Sequence, residues 1–274
     1  MAINTVILHV PLPAIALLNI PLLTFDLNLL SLALGPWLIF LMSYFLMPLL
    51  GKSLKFDKAT IGCLILTAGL GNTSFVGFPL LEALYGKEVI KYGVVLDQLG
   101  TFLIVSVAGI WVATTYSSGR LKMIDLARKI FFFPPFLACL FAFFLGAVGW
   151  KAEGMTKDIL DQLAGTLTPL ALISVGLQLK VKELGGELKP LLVGLGYKLF
   201  FAPIVIFILF KLFNLPREIF SVSVIEAAMA PMITASIVAS SYNLNPRLSG
   251  LMVGIGVPVS LVTVYFWYLF VSLI

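Results

Sequence analysis

Two short interruptions hold the residues best suited to chemistry. The first is Gly69-Leu70-Gly71-Asn72-Thr73-Ser74, and the second is Ala227-Ala228-Met229-Ala230-Pro231. Each breaks a long apolar stretch. Glycine weakens a helix and proline ends or kinks it. Asn72, Thr73 and Ser74 are good N-cap residues, and Pro231 suits the first position of a new helix. The pattern predicts a half-helix starting near each break, with the N–H groups of Met232, Ile233 and Thr234 free. Two half-helix N-termini that face each other concentrate positive potential without a cationic side chain. That arrangement suits a carboxylate. The competing reading is that Gly and Pro merely kink packed helices.

Four further polar residues lie inside apolar stretches: Asp97, Gln98, Lys198 and Glu226, the last one turn before the second break. Glu226 or Asp97 can pair with Lys198, bind a proton or help to ligate Na+, and polar groups in such settings are functional candidates by default. The alternative is a structural ion pair or hydrogen bond that holds the helices together. Gln178 reads as solvated at a helix end, and Asn19 as a cap before Pro21. Cys63 and Cys139 read as small buried hydrophobes. With His9 the one histidine, no metal site or cofactor is expected.

The elements that must position these residues are membrane helices. Of 274 residues 60% are hydrophobic and 11% charged, with a mean hydropathy of +1.09, whereas a soluble domain carries about 25% charged residues. Lipid must be the solvent for most of this surface. A spanning helix needs roughly 20 apolar residues, and the sequence reads as about nine such spans: A 4–20, B 29–50, C 59–82, D 89–116, E 129–149, F 159–179, G 189–213, H 218–241 and I 247–273. The class is an all-α integral membrane protein with one transporter-type domain over 1–274. No basic n-region with a cleavage site marks the start.

The net charge of +5 does not point to nucleic acid, because the Lys and Arg residues sit in short loops. Counted by side they divide eleven against six, with Lys198 left inside span G. The richer side is expected to be cytoplasmic. That places the N-terminus of the chain inside and the C-terminus outside a cytoplasmic (inner) membrane.

An internal repeat ties the two breaks together. Leu12-Pro13-Ala14 resembles Thr168-Pro169-Leu170, Tyr85 matches Tyr242 and Gly93 matches Gly250, at an offset of 156 or 157. The repeat advances five spans, an odd number, so the copies (1–116 and 129–274) are expected to be inverted. Inverted repeats with a discontinuous helix in each half point to a secondary transporter. The first copy has one helix fewer than the second. Either a helix precedes Met1 or this is a nine-helix variant.

The run Gly71-Asn72-Thr73-Ser74-Phe75-Val76-Gly77-Phe78-Pro79-Leu80-Leu81-Glu82-Ala83-Leu84-Tyr85-Gly86 resembles the auxin efflux carrier family, within the superfamily that includes bile-acid/sodium symporters. Asp97-Gln98-Leu99-Gly100, Glu226 to Pro231 and Tyr242 to Pro246 extend the resemblance over nearly the whole chain. It implies two inverted five-helix repeats with crossing helices at Asn72–Ser74 and Ala228–Pro231. It also implies elevator-type movement, a homodimer, and a carboxylate such as malate, malonate or auxin as substrate. The chain departs from the family in lacking the first helix and in reading Met229-Ala230-Pro231 where Met-Pro is common.

The expected function is secondary transport of a small organic anion docked between Asn72–Ser74 and Pro231–Thr234. Asp97, Gln98, Glu226 and Lys198 would support the site or carry a coupling H+ or Na+. Spans C, D, H and I, with E, would move against A, B, F and G. A Na+-coupled symporter of the bile-acid type is the neighbouring alternative. A passive channel or an intramembrane enzyme is the alternative of another class, although no H-E-x-x-H or paired intramembrane Asp motif occurs.

Overall fold

Apolar sequence in lipid must satisfy its own backbone, and helices do so within one segment. The computed structural model describes residues 2–22, 27–117, 134–178 and 186–273. Among these every element is a helix, apart from one isolated β-bridge. Helices α1 (Ala2–His9) and α2 (Pro11–Asn19) form span A. They are separated because Val10 leaves helical geometry (φ −122°, ψ −77°) and Pro11 starts a new helix. Span B is α3 (Leu27–Ser53), which carries Pro36 and Pro48. Span C is α4 (Lys58–Gly69), a π turn (Thr73–Gly77) and α5 (Phe78–Tyr85). Span D runs through α6 (Ile90–Leu96), π turns at Asp97–Phe102 and Val105–Gly109, and α7 (Ile110–Tyr116).

In the second half, α8 (Pro134–Ala147) lies in span E, and α9 (Gly154–Gly165) with α10 (Leu167–Gln178) forms span F. Span G is α11 (Leu188–Gly196), a π turn (Tyr197–Phe201) and α12 (Ala202–Leu212). Span H is α13 (Arg217–Ala227) and α14 (Ile233–Ser241), and span I is α15 (Pro246–Ser272). Among the described residues five helical stretches are long and apolar enough to cross a membrane: Thr5–Leu22, Leu29–Ser53, Lys87–Tyr116, Leu188–Leu212 and Pro246–Ser272. The outer surface carries large apolar side chains such as Phe45, Leu49, Phe144 and Val262, as a lipid-facing surface requires.

The halves of the broken helices are too short to cross alone. At 1.5 Å per residue, the 12 residues of α4 reach well short of a hydrocarbon core about 30 Å thick. The breaks meet each other. Asn72 N–H donates to the Ala230 carbonyl (2.8 Å) and Met232 N–H to the Leu70 carbonyl (3.0 Å), which sets Gly71 and Pro231 opposite in an antiparallel bridge. In this register neither opposed residue uses its own N–H, so a proline fits. Each break thus satisfies the backbone groups that the other leaves open.

Packing divides the described helices into two groups. Span A (α1, α2) packs with α8, α9 and α10. Helix α3 packs on α4, α6 and α13, while α11 and α12 pack on α15 and α13. Spans B and G therefore sit with the broken helices, and span E sits with A and F, which corrects the grouping expected from sequence. The cause is side-chain contact, which apolar periodicity does not encode. The groups touch where α10 packs on Thr73–Gly77 and α5 and where α2 packs on α6. Thr168 Oγ1 also donates to Glu82 Oε2 (2.9 Å) across that boundary.

One polar clasp joins three helix starts. Asn245 takes a left-handed backbone (φ 43°) and accepts a hydrogen bond from Leu248 N–H at the start of α15. Its amide donates to Thr60 Oγ1 (2.8 Å) on α4 and to Glu187 Oε2 (3.0 Å) before α11. Asn245→Gly keeps the backbone accessible but loses these bonds, and should cost about 1 kcal/mol. Asn245→Ala adds left-handed strain and should cost about 2 kcal/mol. Denaturant titration in detergent would show this order, and equal losses would refute the strain contribution.

Candidate functional site at the helix crossing

The crossing gathers most of the residues singled out by sequence. Asn72 caps the second half of span C: its side-chain oxygen accepts from Phe75 N–H (3.2 Å). Its amide nitrogen is buried with no partner. Thr73 turns the other way. Its hydroxyl donates to Asp97 Oδ1 and lies 3.1 Å from Thr101 Oγ1. The second Asp97 oxygen accepts from Gln98 Nε2 (2.6 Å), while Gln98 Oε1 is buried without a partner. Ser74 is buried beside these groups.

Lys198 is 1% exposed. Its ammonium donates to the carbonyl of Ala227 (2.8 Å), at the end of α13, where the partial negative charge of a helix C-terminus lies. A Cβ at Gly71 would stand 2.9 Å from the Lys198 Nζ, so glycine there lets the ammonium reach the crossing. Glu226 is 2% exposed, and neither carboxylate oxygen has a hydrogen-bond partner. The carboxylate lies against Gly77, where a Cβ would come within 2.6 Å of both oxygens. The sequence offers a Lys198 pair with Glu226 or Asp97. Among the described residues the one ion pair within 4.0 Å is Lys157–Asp161, on the surface. Lys198 binds a backbone carbonyl instead, and Asp97 is held by neutral donors.

The second break differs from expectation in detail. Helix α14 begins at Ile233 rather than Pro231, and Met232 occupies its N-cap without a side-chain bond. The N–H of Met232 is not free, because Leu70 accepts it. The cause is the bridge, which extends one residue past the proline. Ile233 and Thr234 remain in the first turn, where N–H groups have no intrahelical acceptor. Ile233 is buried and the Thr234 side chain is exposed.

Three of the four π turns among the described residues hold site residues: Thr73 and Ser74, Asp97 and Gln98, and Lys198. A π turn inserts a residue and redirects side chains, which is why such turns recur at functional sites. Two indoles stabilise them. Trp37 donates to the Leu99 carbonyl and Trp267 to the Leu199 carbonyl, each at 3.1 Å.

Lys198, Glu226, Thr73, Thr101 and Ser223 line one narrow cavity of about 10 Å³, room for a water and little else. Thr101 and Ser223 add to the residues recognised from sequence. Thr101 lies four residues after Asp97 and Ser223 three before Glu226, spacings that share a helix face. Arranged this way, the crossing presents two half-helix N-termini, a buried ammonium on a helix C-terminus, and an unpartnered carboxyl. It can hold an anion at the N-termini and a cation or proton at Glu226. Among the described residues no group of three His, Cys, Asp or Glu side chains could hold a metal ion.

The chain is 26% identical over 274 residues to an uncharacterized transporter of Methanocaldococcus jannaschii, covering 97% of this chain and 87% of that protein. It is 27% identical over 214 residues to an uncharacterized transporter of Methanothermobacter thermautotrophicus, covering 77% and 68% respectively. The family model described as "Membrane transport protein" matches residues 2–268. These similarities indicate a membrane transporter rather than an enzyme. The chain belongs to the membrane transport protein family, that of the auxin efflux carriers its crossing motif resembles.

Proposed function

We propose that the protein is a secondary active transporter of a small organic anion, such as malate, malonate or an auxin-like carboxylate. The observation that carries this reading is the meeting of two half-helix starts across the Gly71–Pro231 bridge, beside a buried lysine. The carboxylate docks between Asn72–Ser74 and Pro231–Thr234. The unpartnered Asn72 amide nitrogen is its first side-chain donor.

The cavity has no room for such a molecule, so binding requires movement. The boundary between the two packed groups is where it occurs, with α10 drawing away from Thr73–Gly77 and the Glu82–Thr168 bond breaking. On this reading spans A, E and F form the fixed panel and the rest moves as an elevator. The chain makes nine crossings as inverted repeats (1–116 and 129–274) in a cytoplasmic membrane, with its N-terminus inside. Glu226 is the place for a coupling H+ or Na+, since its carboxylate has no donor of its own.

The test is thermal unfolding of the purified protein with a panel of carboxylates, in Na+ or K+ and at two pH values. A ligand at 100 times its dissociation constant stabilises by about 2.7 kcal/mol. One class of carboxylate should raise the transition, and Asn72→Ala should remove that rise. A well-folded protein that no carboxylate stabilises would sink the proposal. Na+ or pH dependence of the rise names the coupling ion.

A further inference from the structure

A second cavity lies far along α13 from the crossing, at the helix's first turn. It measures about 290 Å³ and lies between the end of α12, the start of α13 and the end of α15. Lys211, Asn214, Arg217 and Ser221 form its polar wall, with Phe210 and Phe220 among its apolar lining. Arg217 and Ser221 are four residues apart on α13 and share a face. The turn between the helices is fixed by Asn214, which takes a left-handed backbone (φ 49°). Its N–H donates to the Lys211 carbonyl (3.2 Å). Lys211 and Arg217 are thereby brought to one cavity.

No acidic side chain is among the described residues that line it. Glu218, next to Arg217, accepts from Tyr92 OH (2.8 Å) and is committed elsewhere. The cavity is therefore positively charged. Its surroundings are apolar: Leu212 is 72% and Phe213 73% exposed. Below it, Phe207, Phe220 and Phe270 form an aromatic cluster, and Lys211 lies 5.6 Å from the Phe207 ring. Lys and Arg that stand over apolar rings beside exposed apolar side chains sit where such cations reach from the hydrocarbon to the headgroup level of a bilayer. This end also belongs to the side poorer in Lys and Arg, so topology alone does not call for two cations in one cavity.

We propose that this cavity binds the headgroup of an anionic phospholipid. The phosphate lies between Lys211 and Arg217, and an acyl chain runs along Leu212 and Phe213. Basic pockets between membrane helices bind anionic headgroups in this way. The site is independent of the transport site at the crossing.

The test compares phosphatidylglycerol with phosphatidylcholine on the full-length protein, by lipid retention in native mass spectrometry. Each interfacial cation contributes about fivefold, so wild type should retain phosphatidylglycerol about 30-fold more tightly. Lys211→Gln with Arg217→Gln should erase that preference. Lys87→Gln with Lys91→Gln removes equal charge from the same end and should leave it intact. Folding of each variant is checked by its unfolding transition in phosphatidylcholine, and the two single variants replace the double if it fails to fold. A preference that survives loss of Lys211 and Arg217, or falls equally in the Lys87 and Lys91 control, overturns the site. Competition by millimolar inorganic phosphate as effective as that by the lipid overturns it too, since the cavity would then be a free-anion site.

Discussion

Lys198→Met should abolish carboxylate binding at the crossing. The ammonium is buried, bonds to the Ala227 carbonyl and reaches the bridge past Gly71. A carboxylate docked at the half-helix starts would meet this charge in a dry setting, where truncating a charged partner costs about 2–5 kcal/mol. Affinity should fall by at least about 30-fold. The same substitution also has a structural consequence. It removes the cation from a cavity that still contains the unpartnered Glu226 carboxylate, and a buried charge left without a neighbouring counter-charge is destabilising.

A second substitution separates the two effects. Glu226→Gln removes the carboxylate that Lys198→Met leaves without a cation. The double variant should recover most of the lost stability, because the two residues line one cavity and their effects are not additive. It should not recover carboxylate-dependent stabilisation. If the double variant binds carboxylate as wild type does, Lys198 is a structural cap for α13 and not part of the anion site.

The breaks in spans C and H were legible because their residues conflict with their setting. Asn72 and Ser74 cap helices, and Pro231 cannot continue one. In an apolar stretch both kinds of residue stand out. The meeting of the breaks through Asn72 with Ala230 and Leu70 with Met232 was not legible, since backbone pairing leaves no residue pattern. The same holds for the π turns at Asp97–Phe102 and Tyr197–Phe201. An inserted residue in a turn alters the direction of Lys198 or Asp97 without altering composition. Span A reads as one helix, although Pro11 was visible and starts a new one. Helix α3 is apolar on all sides, so no face of it announced that it packs on α4 and α13. Thr101 and Ser223 were within reach, given their helical spacing from Asp97 and Glu226.

Gly256→Ala should leave a folded protein with a damaged crossing. Gly256 lies on α15, and a Cβ there would stand 2.6 Å from Pro231 Cδ and 3.0 Å from Leu195 Cδ2. The leucine can rotate away. The proline ring cannot, because it is fixed to the backbone that forms the bridge to Gly71. The added methyl must therefore push the bridge or move α15. Overpacking of this kind costs about 1–3 kcal/mol, and the Met232–Leu70 and Asn72–Ala230 bonds take the displacement. Gly250→Ala, on the same helix, meets nothing within 4 Å and should be neutral or stabilising by up to about 1 kcal/mol. It controls for the general effect of alanine in α15. Carboxylate-dependent stabilisation should be lost in Gly256→Ala and retained in Gly250→Ala, while both proteins keep a cooperative unfolding transition. Retention in Gly256→Ala would mean that the bridge geometry is not what the anion reads, and the site would have to be sought away from the half-helix starts.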